Sequence, residues 1–212
     1  MLSVHGKGVR EPMVLGIRTL AGLVIVTLAA IHGAPAYAQS PTPGQPLGQL
    51  PHFKVKYNEF SDSTVLNGPS KESMVTTMRL RARQAGRVAT TDLVVEWWWE
   101  YRDIISGQRT TSSVRPDAPF AVGNPVYLLL DTPSGPNRLA VPIATVTFES
   151  RGGYPVHSGT ATLTVEQLRI LAGATGGKVQ LWDDQLGRLG LPGDAPKAAS
   201  VLLDLATAVP TP

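Results

Sequence analysis

The 212-residue sequence contains no cysteine. This absence excludes thiol nucleophiles, cysteine-ligated zinc and iron–sulfur clusters, and it leaves no residue for a lipoprotein anchor. Histidine is also scarce: of the four in the chain, two lie in the first 38 residues and only His52 and His157 lie beyond them. A lone histidine offers no ligand spacing for a metal. The sequence therefore predicts neither a metal nor a cofactor.

Long hydrophobic runs are missing as well. The apolar run over residues 19–31 has 13 residues, whereas a membrane-spanning helix needs roughly 20. It follows three basic residues, Lys7, Arg10 and Arg18. It leads into Ala36-Tyr37-Ala38, which has small residues at the two positions that signal peptidase inspects. Residues 1–38 are therefore predicted to be a cleavable signal peptide, and the protein is predicted to be periplasmic or secreted, with no transmembrane segment after cleavage.

Cleavage changes the charge of the protein. The whole chain has 19 basic and 16 acidic residues, and the predicted signal holds three and one of these, so 16 and 15 remain. A net charge near +1 lacks the broad positive field that a phosphate backbone requires. Nucleic acid is therefore excluded as a partner. Translation from Met13 instead of Met1 leaves the export prediction unchanged, and the sequence does not decide between the two starts.

Composition divides the remaining chain into three parts. Residues 39–52 are rich in proline and glycine, which is typical of an extended, flexible tether. Residues 53–208 are long enough for one domain with a hydrophobic core. Residues 209–212 form a short tail. We therefore expect a single folded domain behind the tether.

Alternating apolar and polar residues predict a β-rich domain. Strands are predicted over residues 53–58, 74–83, 91–101, 126–130, 139–149, 156–164 and 178–182. Met74, Met78, Leu80 and Ala82 share one face of the second of these. The continuous apolar run over residues 126–130 favours a strand buried on both faces. Residues 84–90 are predicted to close a hairpin, and residues 103–124 form the longest irregular segment.

Two helices complete the prediction. Thr164 and Gln167 have the spacing of a capping box, and Gly176-Gly177 is predicted to end this helix. Residues 197–208 form a second short amphipathic pattern. Because the strands are mostly consecutive, antiparallel pairing is favoured. The predicted fold class is α+β and mainly β: a twisted antiparallel sheet or sandwich with one short helix packed on it and a C-terminal helix.

The segment around three consecutive tryptophans carries the candidate ligand surface. Alternation puts Trp97 and Trp99 on the core face of the strand and Trp98 on the opposite face. The complete candidate surface is Glu96, Trp98, Glu100, Arg79 and Arg81. One interpretation is a ladder of charged cross-strand pairs that shields the indole. The other is a stacking platform for a sugar-like or apolar ligand, with the carboxylates accepting hydrogen bonds.

Catalytic patterns are weak. Four residues along a strand separate the Cα atoms of Glu96 and Glu100 by about 13 Å, against roughly 5 to 9.5 Å between the carboxyl groups of glycosidase pairs. His157 and Ser158 are adjacent, so they point to opposite faces of a strand, and no Gly-x-Ser-x-Gly motif is present. No catalytic residue is therefore assigned. The alternative of a small periplasmic hydrolase with an unrecognised site stays open.

Three segments carry a resemblance. They are residues 60–65 (FSDSTV), residues 128–131 (LLLD) and residues 161–172 with 178–182. Together they resemble a group of uncharacterised exported bacterial β-rich domains over residues 53–189, although Asp131 is followed by Thr132 where that group has glycine. The resemblance implies an α+β fold and an envelope location, and it carries no catalytic residues. The predicted function is non-catalytic binding of an envelope protein, glycan or lipid through a sheet face or the long loop.

Overall fold

The structure is a computed structural model that describes residues 48–86, 93–110 and 116–207. The predicted signal peptide and residues 39–47 of the predicted tether lie outside the described residues. Leu50, at the end of that tether, is buried against the core. The backbone N–H of Phe53 donates to the Leu50 carbonyl over 3.2 Å, so a turn connects this contact to the first strand.

The described residues form nine strands and two α-helices. The strands are β1 (Lys54–Asn58), β2 (Ser63–Glu72), β3 (Thr76–Ala85), β4 (Val94–Arg102), β5 (Pro125–Thr132), β6 (Gly135–Arg151), β7 (Tyr154–Thr162), β8 (Gly176–Gln180) and β9 (Arg188–Gly190). The helices are α1 (Val165–Ala172) and α2 (Ala195–Thr207). All pairs are antiparallel in one sheet of order β1-β2-β3-β4-β7-β6-β5-β8-β9. The predicted fold class is confirmed.

The long strand β6 connects the two halves of the sheet. Its first part pairs with β5 as far as Pro142, and its second part pairs with β7 from Ile143 onward. The register shifts between Ile143 and Thr145, and such a bulge bends a strand and increases its twist. The sheet therefore curls, and one face becomes concave around the core.

The concave face is the core face. In β3 the side chains of Met78, Leu80 and Ala82 are fully buried, as the alternation predicts. Trp97 and Trp99 of β4 are fully buried on the same face. Helix α2 contacts α1, β2 and β3 and adds its buried alanines and Leu202 to the core. Both helices therefore cover the concave side, and no helix of the described residues lies on the convex side of the sheet.

Helix α1 begins where the sequence predicts. The Thr164 hydroxyl accepts from the Gln167 backbone N–H over 3.2 Å, and the Gln167 side chain accepts from the Thr164 backbone N–H over 3.0 Å. A cap of this kind stabilises a helix by about 1 kcal/mol. Among the described residues, neither helix is both long and apolar enough to cross a membrane.

The predicted end of α1 at Gly176-Gly177 is wrong. The helix ends at Ala172 with Gly173 as its cap, and Gly177 belongs to β8. Gly177 has φ +153°, and a Cβ at this position would lie 3.1 Å from the Leu130 Cα and still closer to the Leu129 carbonyl oxygen. The glycine is therefore needed for the close approach of β8 to β5 and does not terminate the helix.

Two strands were not predicted. Strand β2 contains Asn67-Gly68-Pro69, which is typical of a turn, but its register shifts between Asn67 and Ser70 and the strand continues through a bulge. Strand β9 has three residues and follows a 3-10 turn at Gln185–Gly187. Met74, predicted on the core face, is 74% exposed because it precedes β3 and does not share its alternation.

The prediction that residues 126–130 are buried on both faces is wrong. Val126, Leu128 and Leu130 are fully buried, but Tyr127 is only partly buried and Leu129 is 44% exposed. The error has a simple cause. A second buried face needs a second layer, and both helices lie on the concave side. This strand therefore presents an aromatic and an aliphatic side chain to the convex side.

Candidate functional site

The convex face of β3 and β4 brings the five predicted surface residues together. Arg79 lies opposite Trp98 across the strands, and Arg81 lies opposite Glu96. The guanidinium carbons of Arg79 and Arg81 lie 4.9 and 5.1 Å from the centroid of the Trp98 ring. The indole is therefore in contact with two cations and only partly exposed. We call this surface the Trp98 face.

Both carboxylates of the Trp98 face are already ion-paired. Glu96 is 5% exposed and pairs with Arg81 at 2.5 Å and with Arg83 at 2.6 Å. Glu100 accepts two hydrogen bonds of 3.2 Å from Arg151 of β6. The carboxylates and the indole thus have partners within the sheet. This geometry fits the charged cross-strand ladder that the sequence offered as one interpretation.

A second convex surface has the opposite character. Tyr127 and Leu129 of β5 lie between β6 and β8, where Leu129 is opposite both Arg138 and Lys178. Tyr127 is opposite Gln180, and Gln180 is opposite Arg188 of β9. These side chains line a cavity of about 430 Å³. We call it the cationic groove and define it by Tyr127, Leu129, Arg138, Lys178, Gln180 and Arg188.

The cations of the groove have no acidic partner among the described residues. The guanidinium carbon of Arg138 lies 3.9 Å from the Tyr127 ring centroid. Within the part of the chain that the structure describes, no carboxylate forms an ion pair with Arg138, Lys178 or Arg188. Three exposed positive charges therefore line one cavity together with a tyrosine ring and a leucine side chain, and such a surface attracts an anion with an apolar part.

The groove continues into an adjoining cavity of about 550 Å³. The two share the side chains of Tyr127, Arg138, Gln180 and Arg188. The adjoining cavity is also lined by Phe120 and Asn124 of the long loop, by Trp182 and by Asp183. Gln180 donates to the Asp183 carboxylate over 3.2 Å. The predicted long loop therefore contributes to this site, although its residues 111–115 lie outside the described part.

His157 is a core residue in the structure. It is 1% exposed, and its ring centroid lies 5.1 Å from Phe148 and 6.4 Å from Phe120. Tyr101 of β4 lies opposite His157. Burial raises the pKa of the Tyr101 phenol, and the charges of Asp103 and Asp184 raise it further. His157 does not line either cavity of the groove. Among the described residues, no group of three His, Asp or Glu side chains could hold a metal ion.

Sequence reasoning did not find the groove. The sequence held one signal for it. The hairpin turn at residues 132–135 fixes the register between β5 and β6, and that register places Arg138 opposite Leu129. The position of Lys178 depends on pairing between β5 and β8, which lie about 50 residues apart in the chain, and no spacing rule predicts that. Arg188 reaches the groove only because β9 then pairs with β8. No family model matches the chain, and no curated protein or solved structure is significantly similar to it.

Proposed function

We propose that this chain is a non-catalytic binding domain of the cell envelope and that it binds an anionic partner in the cationic groove. The observation that carries the proposal is the set of three cations, Arg138, Lys178 and Arg188, with no ion pair to any described carboxylate. All three side chains are exposed to solvent, so an anion can reach them, and together they create a local positive potential. A bound anion would supply the missing partner.

Shape supports the same site. The groove and its adjoining cavity have volumes of about 430 and 550 Å³, and ligand pockets of proteins fall between roughly 300 and 1,000 Å³. The cavity is lined both by Tyr127 and Leu129 and by the three charged side chains. This combination is typical of binding sites that fix orientation through a few polar contacts.

The Trp98 face is the weaker candidate. A ligand that stacked on Trp98 would have to displace the guanidinium of Arg79 or Arg81 from the ring. A ligand that bound Glu96 would have to separate a buried ion pair, which is costly. In the groove Arg138 likewise covers the Tyr127 ring, but the 44% exposed Leu129 side chain can be contacted without displacing a guanidinium.

Binding at the groove can be mapped by amide chemical shifts of the mature chain. The titrants are an anionic glycan fragment, an acidic peptide, an alkyl phosphate, a neutral glycan and a basic peptide. We expect shifts in β5 and β8 with at least one anionic titrant and none with the neutral or basic ones, because the three cations select for negative charge. Shifts confined to β3 and β4 would instead identify the Trp98 face as the site.

A matched pair of variants controls this experiment. Arg138→Gln removes one cation of the groove, and Arg169→Gln removes one exposed cation of α1. We expect the first variant to weaken binding about tenfold, which is the loss of one charged hydrogen bond, and the second to leave it unchanged. Equal weakening by both would indicate non-specific attraction to net charge and would contradict the proposed site.

The envelope location is proposed from the N-terminal sequence and from the resemblance to exported domains. When the full chain is expressed in a bacterial cell, we expect the protein outside the cytoplasm to begin at Gln39, because cleavage follows Ala36-Tyr37-Ala38. Mass spectrometry of the purified protein measures this end. Ala38→Arg should block processing. An intact N-terminus on protein recovered from the cytoplasm would refute the proposed location.

A further inference from the structure

The two parts of the groove differ in the ligand group they can accept. The cavity of about 430 Å³ contains the exposed Leu129 side chain and the partly buried Leu189, whereas Val179, which also borders it, is only 1% exposed. Arg138 and Arg188 border both this cavity and the adjoining one. An apolar group can therefore contact Leu129, and a negative group can contact the two arginines that both cavities share.

Acidic groups restrict where the anion can lie. Asp183 lines the adjoining cavity, and Asp131 is exposed on the convex side of β5, two residues beyond Leu129. Both carboxylates repel a second negative charge nearby. One anionic group between Arg138 and Arg188 satisfies the cations, whereas a row of phosphates or an anionic membrane surface would also meet Asp131 and Asp183.

An extended peptide fits the groove less well. The free edge next to the groove is β9, which has three residues. Its Arg188 backbone N–H already donates to the Gln185 carbonyl. Strand addition depends on a series of main-chain hydrogen bonds, and this edge is too short to provide one. Acidic side chains also carry little hydrocarbon that could be buried against the apolar side chains of the groove.

We infer that the ligand of the groove is a soluble, single-chain amphipathic anion: one carboxylate, sulfate or phosphate joined to a short alkyl chain or ring. The anionic group lies between the Arg138 and Arg188 side chains and the apolar part lies against Leu129. Lys178, on the far side of Leu129 from Arg138, adds long-range attraction. This inference rests on the proposed function and specifies its ligand.

The test compares one amphiphile with its two halves. Octyl phosphate, inorganic phosphate and octyl glucoside are each titrated into the mature chain below their micelle concentrations, with binding measured by calorimetry and by amide shifts. We expect octyl phosphate to bind at least about tenfold more tightly than either of the others, because only it uses both the cations and the apolar side chains of the groove. Equal affinity for octyl phosphate and inorganic phosphate would overturn the inference.

Variants separate the two contributions. Leu129→Asn should reduce the affinity for octyl phosphate to about that for inorganic phosphate, because it removes apolar contact from an exposed position that packing does not require. The double variant Arg138→Gln, Arg188→Gln should reduce the affinity for octyl phosphate at least about tenfold. Arg169→Gln is the control and should change nothing. Circular dichroism confirms that each variant is folded.

The remaining outcomes distinguish the two proposals. If an acidic peptide or a vesicle of anionic phospholipid shifts the groove amides and octyl phosphate does not, the amphiphile inference is wrong while the groove is still the binding site. If no titrant shifts the groove amides, the proposed function itself is wrong. Shifts from octyl phosphate that survive the double arginine variant would also overturn the inference.

Discussion

Gly159→Ala is expected to lower the free energy of unfolding by about 3 kcal/mol. Gly159 of β7 lies directly opposite Trp99 of β4 on the core face. A Cβ added to Gly159 would lie 2.5 Å from the Trp99 Cε2 and still closer to Cζ2. Trp99 is fully buried and packs edge-on against Phe120 with the ring centroids 5.4 Å apart. The indole therefore has no free space to move into, and the strands must separate. Urea denaturation measures the loss.

A second glycine provides the control. A Cβ added to Gly193 would have no heavy atom within 4 Å, and the residue has no positive φ. Gly193→Ala should therefore leave stability unchanged or raise it slightly through the unfolded state. If Gly159→Ala and Gly193→Ala change the free energy of unfolding equally, there is room for a methyl group between β7 and Trp99, and the prediction is wrong.

The same contact predicts a coupling between two positions. Trp99→Phe alone should destabilise the protein, because a smaller ring leaves a cavity in the core. In the Gly159→Ala background, however, the smaller ring makes room for the new methyl group. We expect the double variant to be more stable than Gly159→Ala, so that the two changes are non-additive. Additive losses would mean that the methyl group collides with something other than the indole.

Local sequence patterns predicted the structural features that depend only on residues close together in the chain. The alternation of β3 and β4 placed Leu80 and Trp97 in the core, and the spacing of Thr164 and Gln167 predicted the start of α1. Such features need only a strand or one helical turn to be determined. The convex placement of Trp98 beside Arg79 follows from the same alternation together with one hairpin.

Other features depend on the assembly of the whole sheet. Leu129 is exposed because both helices lie on the concave side. The sequence of residues 126–130 does not indicate on which face of the sheet the helices pack. Strand β2 continues past Gly68 because a bulge absorbs the extra residues. The groove was therefore not predicted, since it arises where β5, β8 and β9 meet and where none of the described residues forms a second layer over them.

Glu96→Gln is expected to lower the free energy of unfolding by about 2 to 3 kcal/mol. The Glu96 side chain is 7% exposed and pairs with Arg81, whose side chain is 15% exposed. Burial lowers the pKa of the Arg81 guanidinium, and the hydrogen bond and charge of Glu96 oppose that effect. Removing the negative charge leaves a buried cation uncompensated, which typically costs about 3 to 5 kcal/mol. We expect a loss below that range because Arg83, the second partner of Glu96, has a side chain that is 51% exposed and stays in contact with water.

Glu100→Gln is the matched control for this prediction. Glu100 lies on the same face of β4, but its partner Arg151 has a side chain that is 47% exposed. Water screens such a pair, and exposed ion pairs contribute less than about 1 kcal/mol. Chemical denaturation of both variants should therefore show a clear difference. Similar losses in the two would contradict the buried character of the Arg81–Glu96 pair.

Replacing both members of the buried pair separates the charge from its location. In the double variant Arg81→Met, Glu96→Met, no uncompensated charge is left at the buried position, and apolar side chains of similar length fill the space. Buried ion pairs replaced in this way are often neutral or more stable. Arg79 still lies over Trp98 in this variant, so the indole keeps one cation. We expect the double variant to recover at least half of the loss caused by Glu96→Gln, because that loss comes from an unpaired buried cation and not from a missing contact. A double variant less stable than Glu96→Gln would show that the pair itself stabilises the sheet.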